Sequence, residues 1–316
     1  MLTPAPNTPE EARPPGFKTR SMGVLRFIIA RIPTRLGNYL ADRAGFIVYS
    51  FAFKSRHHAI SNMAHVLGPG TPRRRHKAVV RGVFRNVMRN YFDLFRAPDM
   101  RDEEIDRLVD FDEEGWKRVV AFQESGRAVV LVTAHFGSFD MMTHVISRRA
   151  PGLVTLIARV KPAWLSDFII QLRGARGLKM SLVDEDEGSG TNLGALKNSM
   201  TILRHGGLLG VMADRNMESK GVTIKFFGYD TVVAPGVAKI ALRTKAAVVP
   251  TLCYRLPGDR YSLRFEQPIE PKGSASNPDD IKALLSTIFA CLEEHFGRNP
   301  EQWVLLQSVW RREPDE

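Results

Sequence analysis

The chain has 316 residues, 44% of them hydrophobic, which is enough to bury a full core but short for two large domains. Forty-five Lys and Arg against 34 Asp and Glu give a net charge of +11, so an anionic partner is expected, whether phospholipid, nucleic acid or phosphorylated substrate. Only two cysteines occur, Cys253 and Cys291, which argues against a disulfide framework or a cysteine metal motif and for a reducing compartment.

Residues 1–20 hold Pro4, Pro6, Pro9, Pro14 and Pro15 and no apolar run, and they read as a disordered tail, not a signal peptide. The remainder, 21–316, reads as one domain, helical and membrane-associating over 21–110 and α/β over 111–316. From Met22 to Phe53 the chain is apolar but interrupted by Arg26, Arg31, Arg35, Asp42 and Arg43. Its longest clean run, Ala44 to Phe53, is about half of what a spanning helix needs. Two helices are therefore expected, Gly23–Ile32 and Pro33–Lys54, lying on a membrane. Thr71-Pro72 starts a third, with Lys77, Arg81, Arg85 and Arg89 on one face and Val80, Phe84, Val87, Met88 and Tyr91 on the other. Such a basic stripe alone is usually a solvated face; beside an amphipathic N-terminus it suits an anionic membrane surface equally well.

After Asp112, strand-like runs alternate with helical ones. Strands are expected at Val129–Val132, Leu153–Ala158, Lys179–Val183, Leu208–Met212, Val222–Phe226, Ala247–Tyr254 and Tyr261–Phe265. Helices are expected at Phe139–Arg149, Ala163–Arg173, Leu193–His205, Gly236–Thr244 and Pro278–Phe296. The alternation predicts an α/β fold with a mostly parallel central sheet flanked by helices.

One apolar strand runs directly into His135, and Asp140 follows five positions on, where a helix begins. An imidazole titrates near neutrality, and a carboxylate accepting from one ring nitrogen leaves the other able to take a proton. Strand ends of α/β sheets collect ligands, and a helix start favours the charge of Asp140. His135 and Asp140 therefore read as a proton-abstracting pair, although 8 histidines and 34 acids supply about one such spacing by chance, so the context must carry the reading. Arg159, Lys161, Arg173 and Arg176 are candidate phosphate ligands, because guanidinium forks pair with phosphate oxygens. Backbone N–H groups around Phe136-Gly137-Ser138 are candidate oxyanion donors, with Gly137 permitting close approach of substrate.

Other residues read more plainly. Ser138 lacks the second glycine of a nucleophile elbow. His144 has no further ligand at metal spacing and reads as a surface or packed histidine. Asp184-Glu-Asp186-Glu187 reads as a solvated loop. Trp303 and Trp310 read as core, with packing on the N-terminal helices or a lipid interface as alternatives.

Five segments stand out, in this order: Thr133-Ala-His135-Phe-Gly-Ser-Phe-Asp140 (an HxxxxD motif), Ala213-Asp214-Arg215-Asn216, Phe226-Phe-Gly228, Ala241-Leu-Arg243-Thr and Asn299-Pro-Glu-Gln-Trp303. Together they resemble the lysophospholipid-acyltransferase superfamily, and within it the bacterial branch of lipid A lauroyl/myristoyl acyltransferases and phosphatidylinositol-mannoside acyltransferases, from about Gly23 to Arg312. The resemblance implies that His135 is the general base on an acceptor hydroxyl, that Asp140 orients it, and that the hydroxyl attacks the thioester of acyl-CoA or acyl-carrier protein, with no cofactor, acyl-enzyme or metal. It supports Arg159 and Arg173 best as phosphate ligands, and it implies that Asp214 helps place the acceptor while Arg215 meets charge near the reaction centre. The lipid A branch commonly has glutamate where Asp140 stands and Asp-Gln-Asp where this chain has Asp214-Arg215-Asn216, a departure that bears on the acceptor and not on the reaction.

The expectation is thus an O-acyltransferase at the cytoplasmic face of the inner membrane, peripheral or monotopic. Its partners would be an anionic membrane surface, an acyl thioester and a glycolipid, and no nucleic acid. Two alternatives are carried: transfer to a lysophospholipid glycerol hydroxyl, and a non-enzymatic basic protein that binds anionic lipid or nucleic acid.

Overall fold

The computed structural model describes residues 17–183, 190–215 and 221–310. Four helices lead the chain: α1 Phe17–Ala30, α2 Thr34–Phe51, α3 Phe53–Leu67 and α4 Arg73–Arg96. Helix α1 begins inside the stretch expected to be a tail, since nothing from Phe17 onward breaks a helix; residues 1–16 lie outside the described residues. The second expected helix breaks at Ala52 (φ −85°, ψ 67°) and continues as α3. Sequence reasoning missed most of α3 because its buried positions, Ala59, Ser61, Asn62, Met63 and His65, are small or polar and show no apolar period.

Helices α2 and α4 cross closely. A Cβ at Gly45 would lie 2.8 Å from the Arg85 Cα, and Arg89 grips Asp42 through two bonds of 2.7 and 2.8 Å. Large exposed apolar side chains concentrate on α1 to α3, including Phe27, Ile28, Phe46, Ile47, Phe51 and Phe53. Among the described residues, no helix is long and apolar enough to cross a membrane.

The α/β part follows as α5 Asp102–Leu108, β1 Val109–Phe111, α6 Glu113–Glu124, β2 Val129–Thr133, α7 Phe139–Arg149, β3 Val154–Ala158, α8 Ala163–Gly174, β4 Lys179–Val183 and α9 Gly190–Arg204. It continues with β5 Leu208–Met212, β6 Val222–Phe226, β7 Tyr229–Val233, α10 Gly236–Thr244, β8 Ala247–Leu256, β9 Arg260–Phe265 and α11 Pro278–Arg298. Seven strands form one sheet in the order β1-β9-β8-β2-β5-β3-β4, parallel except for β8 against β9. The mostly parallel sheet flanked by helices is as the sequence predicts.

The misses have local causes. The β6–β7 hairpin turns at Phe227 (φ 52°) and Gly228 (φ 80°), the left-handed pair of a tight hairpin turn. Phenylalanine is a poor signal for such a position; here its N–H donates to Glu293 at 2.7 Å. Helix α6 did leave a signal, since Asp112 caps it by accepting from the Gly115 N–H at 2.9 Å, with Glu113 and Glu114 in its first turn.

Two apolar layers cover the sheet. One, with Phe84, Val132, Phe226, Leu285 and Trp303, lies toward α10 and α11; the other, with Leu131, Met141, Val145, Tyr261 and Phe265, lies toward α6 and α7.

Candidate active site

Parallel pairing builds the centre of the site. Strands β2 and β5 are neighbours with Thr133 opposite Met212, and the pairing carries one residue further through the Ala213 N–H to the Thr133 carbonyl at 2.9 Å. Two residues beyond each strand stand His135 and Asp214, side by side at the carboxyl end of the sheet. His135 Nδ1 lies 2.9 Å from Asp214 Oδ1, and the His135 backbone N–H donates to Asp214 Oδ2 at 2.9 Å. The Trp303 indole N–H donates to the same Oδ2, also at 2.9 Å.

Asp214 is buried, yet its carboxyl is held below the usual range. Burial alone would raise it; the adjacent His135 charge and the hydrogen bonds from His135 and Trp303 outweigh that effect. An ionised Asp214 fixes the proton of a neutral His135 on Nδ1, which leaves Nε2 without a protein hydrogen-bond partner among the described residues.

The loop carrying His135 is stitched on both sides. Gly137 N–H donates to the Gln302 carbonyl and Ser138 N–H to the Cys253 carbonyl, each at 2.8 Å, while Val304 N–H donates to the His135 carbonyl at 2.8 Å. Gly137 has φ +56°, and a Cβ there would lie 1.9 Å from the Cys253 oxygen. Beneath the loop, Asn90 donates to the Gly137 carbonyl at 2.7 Å, and Ser138 donates to Asp93 at 3.0 Å. Arg255 donates to both Asn90 and Asp93 at 2.7 Å, and the Tyr261 hydroxyl donates to Asp93 at 2.8 Å.

His135 opens onto a cavity of about 540 Å³, a size typical of small-ligand sites. Its walls are mainly apolar, with Leu131, Met142, Ile146 and Leu178 among them, and Asp140, Arg173 and Arg215 are its charged members. An imidazole able to accept a proton, cations and a greasy slot thus share one space.

A model of the bacterial lipid A biosynthesis acyltransferase family matches residues 17–312. The chain belongs to that family. It is 25% identical, over 70% of its length and 67% of the relative's, to a phosphatidylinositol mannoside acyltransferase of Mycobacterium tuberculosis. It is 26% identical, over 79% of its length and 77% of the relative's, to a protein of the same name from Mycolicibacterium smegmatis. This lipid A-type acyltransferase is therefore an enzyme, and the reading as a non-enzymatic basic binder falls.

The geometry of the acyltransferase places several of these residues differently from the expectation. Asp140 does not hold His135: its oxygens take Arg173 Nε at 2.6 Å and Nη2 at 3.3 Å, and the carboxylate on His135 is Asp214. The helix start turns Asp140 toward the end of α8, whereas strand register delivers Asp214. Of the expected phosphate ligands, Arg173 lines the cavity and Arg159, Lys161 and Arg176 do not; Arg215, expected to meet charge near the reaction centre, lines it as well. Arg159 is exposed and pairs with Asp167 at 3.1 Å, while Arg176 is drawn to the Met100 carbonyl at 2.6 Å and to Asp102. Gly137 makes room for the Cys253 carbonyl, and the N–H groups expected as oxyanion donors are already bonded within the protein.

Ser138 is buried with its hydroxyl committed to Asp93. The acidic run 184–187 lies outside the described residues, as does Asn216. Among the described residues, no group of three or more His, Cys, Asp or Glu could hold a metal ion.

Trp303, Asn90, Asp93 and Arg255 were not foreseen as site residues. Their signal was a stripe of short polar side chains, Asn86, Asn90 and Asp93, at helical spacing on α4, all buried. Asn86 donates to the Glu301 carbonyl at 2.7 Å, which brings the Trp303 segment under the site.

His144 is packed, with both ring nitrogens buried and lacking hydrogen-bond partners among the described residues. Burial pushes it down to about 4; Asp140 opposes this, and Arg176 and Arg173 add to it. Between the unfolded value near 6.5 and that folded value, the unfolded chain binds the extra proton, so this residue's contribution to stability is lost as pH falls through that window. The loss should be about 2 kcal/mol between pH 7 and pH 5. Urea midpoints of wild type and His144→Phe at the two pH values check this: the variant should lose that part of the pH slope, and an unchanged slope would contradict it.

Proposed function

We propose that this acyltransferase moves a fatty acyl chain from acyl-CoA or acyl-carrier protein to a hydroxyl of a membrane glycolipid of the lipid A precursor or phosphatidylinositol mannoside type. The reading rests on one observation above the others: His135 is anchored through Nδ1 by Asp214, and its ring lines a mainly apolar cavity that also holds Arg173 and Arg215.

In the reaction, Nε2 takes the proton of the acceptor hydroxyl as its oxygen attacks the thioester carbonyl. The tetrahedral intermediate collapses with cleavage of the C–S bond, and the imidazolium returns the proton to the leaving thiolate. Asp214 stabilises the imidazolium in between. Arg215, and the side of the Arg173 guanidinium not engaged by Asp140, supply cations for phosphate groups of donor or acceptor.

The leading helices support attachment to a membrane. Among the described residues, nearly all large exposed apolar side chains lie on α1 to α3, beside the exposed Arg73, Arg74, Arg75, Lys77 and Arg81 of α4. An apolar face edged with cations suits the surface of an anionic bilayer at the cytoplasmic side of the cell membrane.

Mass spectrometry of membrane lipids from a strain lacking the protein, paired with transfer by the purified enzyme to competing acceptors, tests the proposal. It expects a glycolipid one acyl chain short in the mutant and preferred as acceptor in vitro. Preferential transfer to a lysophospholipid or to water would overturn it.

A further inference from the structure

Helix α4 gives the cavity one of its walls through a single face, on which Val87, Asn90, Tyr91 and Leu94 follow at three- and four-residue spacing. Asn90 is spent on the protein at both ends of its amide. It donates to the Gly137 carbonyl at 2.7 Å and accepts from Arg255 at 2.7 Å. These two bonds fix α4 against the His135 loop, so Tyr91, the next residue, keeps a set place beside the site. Tyr91 is 40% exposed, and its hydroxyl has no hydrogen-bond partner among the described residues.

Among the described residues, the other hydroxyls of the cavity wall are committed or buried. Thr133 donates to the Met142 sulfur at 3.9 Å, and Thr143 donates to the Asp140 carbonyl at 2.8 Å. Ser166 is buried and accepts from the Val160 N–H at 3.2 Å, while the Thr155 hydroxyl is buried in the wall. The Tyr91 hydroxyl is thus left to meet a substrate. Burial holds it above its ordinary value, with Asp140 adding to the effect and Arg173 opposing it. It therefore lies within the fields of both charges, keeps its proton near neutral pH and can donate. Asp140 and Arg173 are bonded to each other at 2.6 Å. The ring of Phe139 meets that of His135 edge-on at 5.5 Å and lies 5.9 Å from the Arg173 guanidinium. A phenol, an acid–guanidinium pair and an aromatic ring thus converge beside the base, a set suited to a sugar's hydroxyls and its apolar ring face.

We infer that Tyr91 is a specificity-determining residue: its hydroxyl binds a second hydroxyl on the sugar ring whose first hydroxyl His135 deprotonates. This inference rests on the proposed reaction. It narrows the acceptor to a polyhydroxylated ring, because a lone alcohol, such as the one free hydroxyl of a lysophosphatidate, offers Tyr91 nothing to bind. A site that hydrogen-bonds a substrate hydroxyl discriminates against an analogue lacking it, since its own polar group is then left unpaired.

Octyl mannopyranoside, its single-deoxy analogues and lysophosphatidate, each offered with a donor that the wild type accepts, test the assignment. With the wild type, one deoxy analogue should fall about tenfold in kcat/KM, the size of one hydrogen bond. Tyr91→Phe should fall by the same factor on the parent mannoside and no further on that analogue. Its preference for the mannoside over lysophosphatidate should narrow by the same factor. A Tyr91→Phe enzyme that keeps the wild-type kcat/KM on the mannoside, or whose loss is undiminished on every deoxy analogue, would overturn the inference. The deoxy analogues probe the same bond on the unaltered enzyme, so the test does not depend on the variant alone. Wild-type transfer to the mannoside reports on the proposed reaction itself. Its absence defeats that reading, whereas its presence with an unchanged Tyr91→Phe defeats only the role of Tyr91.

Discussion

Asp214→Asn should lower kcat for acyl transfer by about four orders of magnitude with the fold intact, the size of effect seen when an aspartate that sets a catalytic histidine's tautomer becomes asparagine. The chemistry is specific to this site. Oδ2 of Asp214 accepts from the His135 backbone and from Trp303, and Oδ1 faces His135 Nδ1. An asparagine that keeps the two Oδ2 bonds must present its NH₂ group to Nδ1. The imidazole then places its own proton on Nε2, where it can no longer take one from the acceptor. Asp140→Asn should cost far less, roughly tenfold, because it weakens one charge-assisted hold on Arg173 without changing the tautomer of His135. Steady-state kinetics of the two variants check this; a larger loss for Asp140→Asn would reverse the assignment.

The second large effect is on stability. Arg255→Met should destabilise the protein by about 3–5 kcal/mol, because it leaves the carboxylate of Asp93 buried with no opposite charge. Side-chain exposure is 4% for Arg255 and 1% for Asp93, so solvent cannot replace the lost partner. Burial alone would lower Arg255, but Asp93 and the Tyr261 hydroxyl hold it above its ordinary value. Burial and Asp93 likewise hold Tyr261 well above its own. Adding Asp93→Leu to Arg255→Met should restore part of the stability, since the unpaired charge goes with it. It should not restore kcat, because Asn90 and Ser138 lose the partners through which they position the His135 loop. Urea denaturation and kinetics on the double-mutant cycle measure both quantities; additive stability losses would contradict the pairing.

Much of the fold was legible because apolar runs and turn signals coincide after Asp112. His135 and Asp214 were both singled out too, but His135 was paired with Asp140 instead. Asp140 is five residues from His135 and was the natural choice by sequence distance, whereas Asp214 arrives through the sheet. The signal for that arrival is present in the chain, as Thr133-Ala-His135 and Met212-Ala-Asp214 each place a titratable side chain two positions past a strand. Exploiting it requires knowing that β2 and β5 are neighbours, and strand order is set by how helices pack across the whole sheet, not by any local pattern. Trp303 was unreadable for a related reason: a tryptophan in an apolar run looks like core, and it is core, with one polar atom reaching the site. Arg159 and Arg176 were misplaced because arginines near a strand end look alike in sequence, while nearby acids, Asp167 and Asp102, decide which of them face the cavity.

The claim on which the mechanism turns is that His135 removes the proton from the acceptor hydroxyl. Single-turnover acyl transfer by purified His135→Ala, shown to be folded by its unchanged denaturation midpoint, tests it most directly. The account predicts a rate lower by about 10³-fold, within the range of a lost general base. A folded His135→Ala enzyme that transfers the acyl chain within a few-fold of the wild-type rate would contradict it.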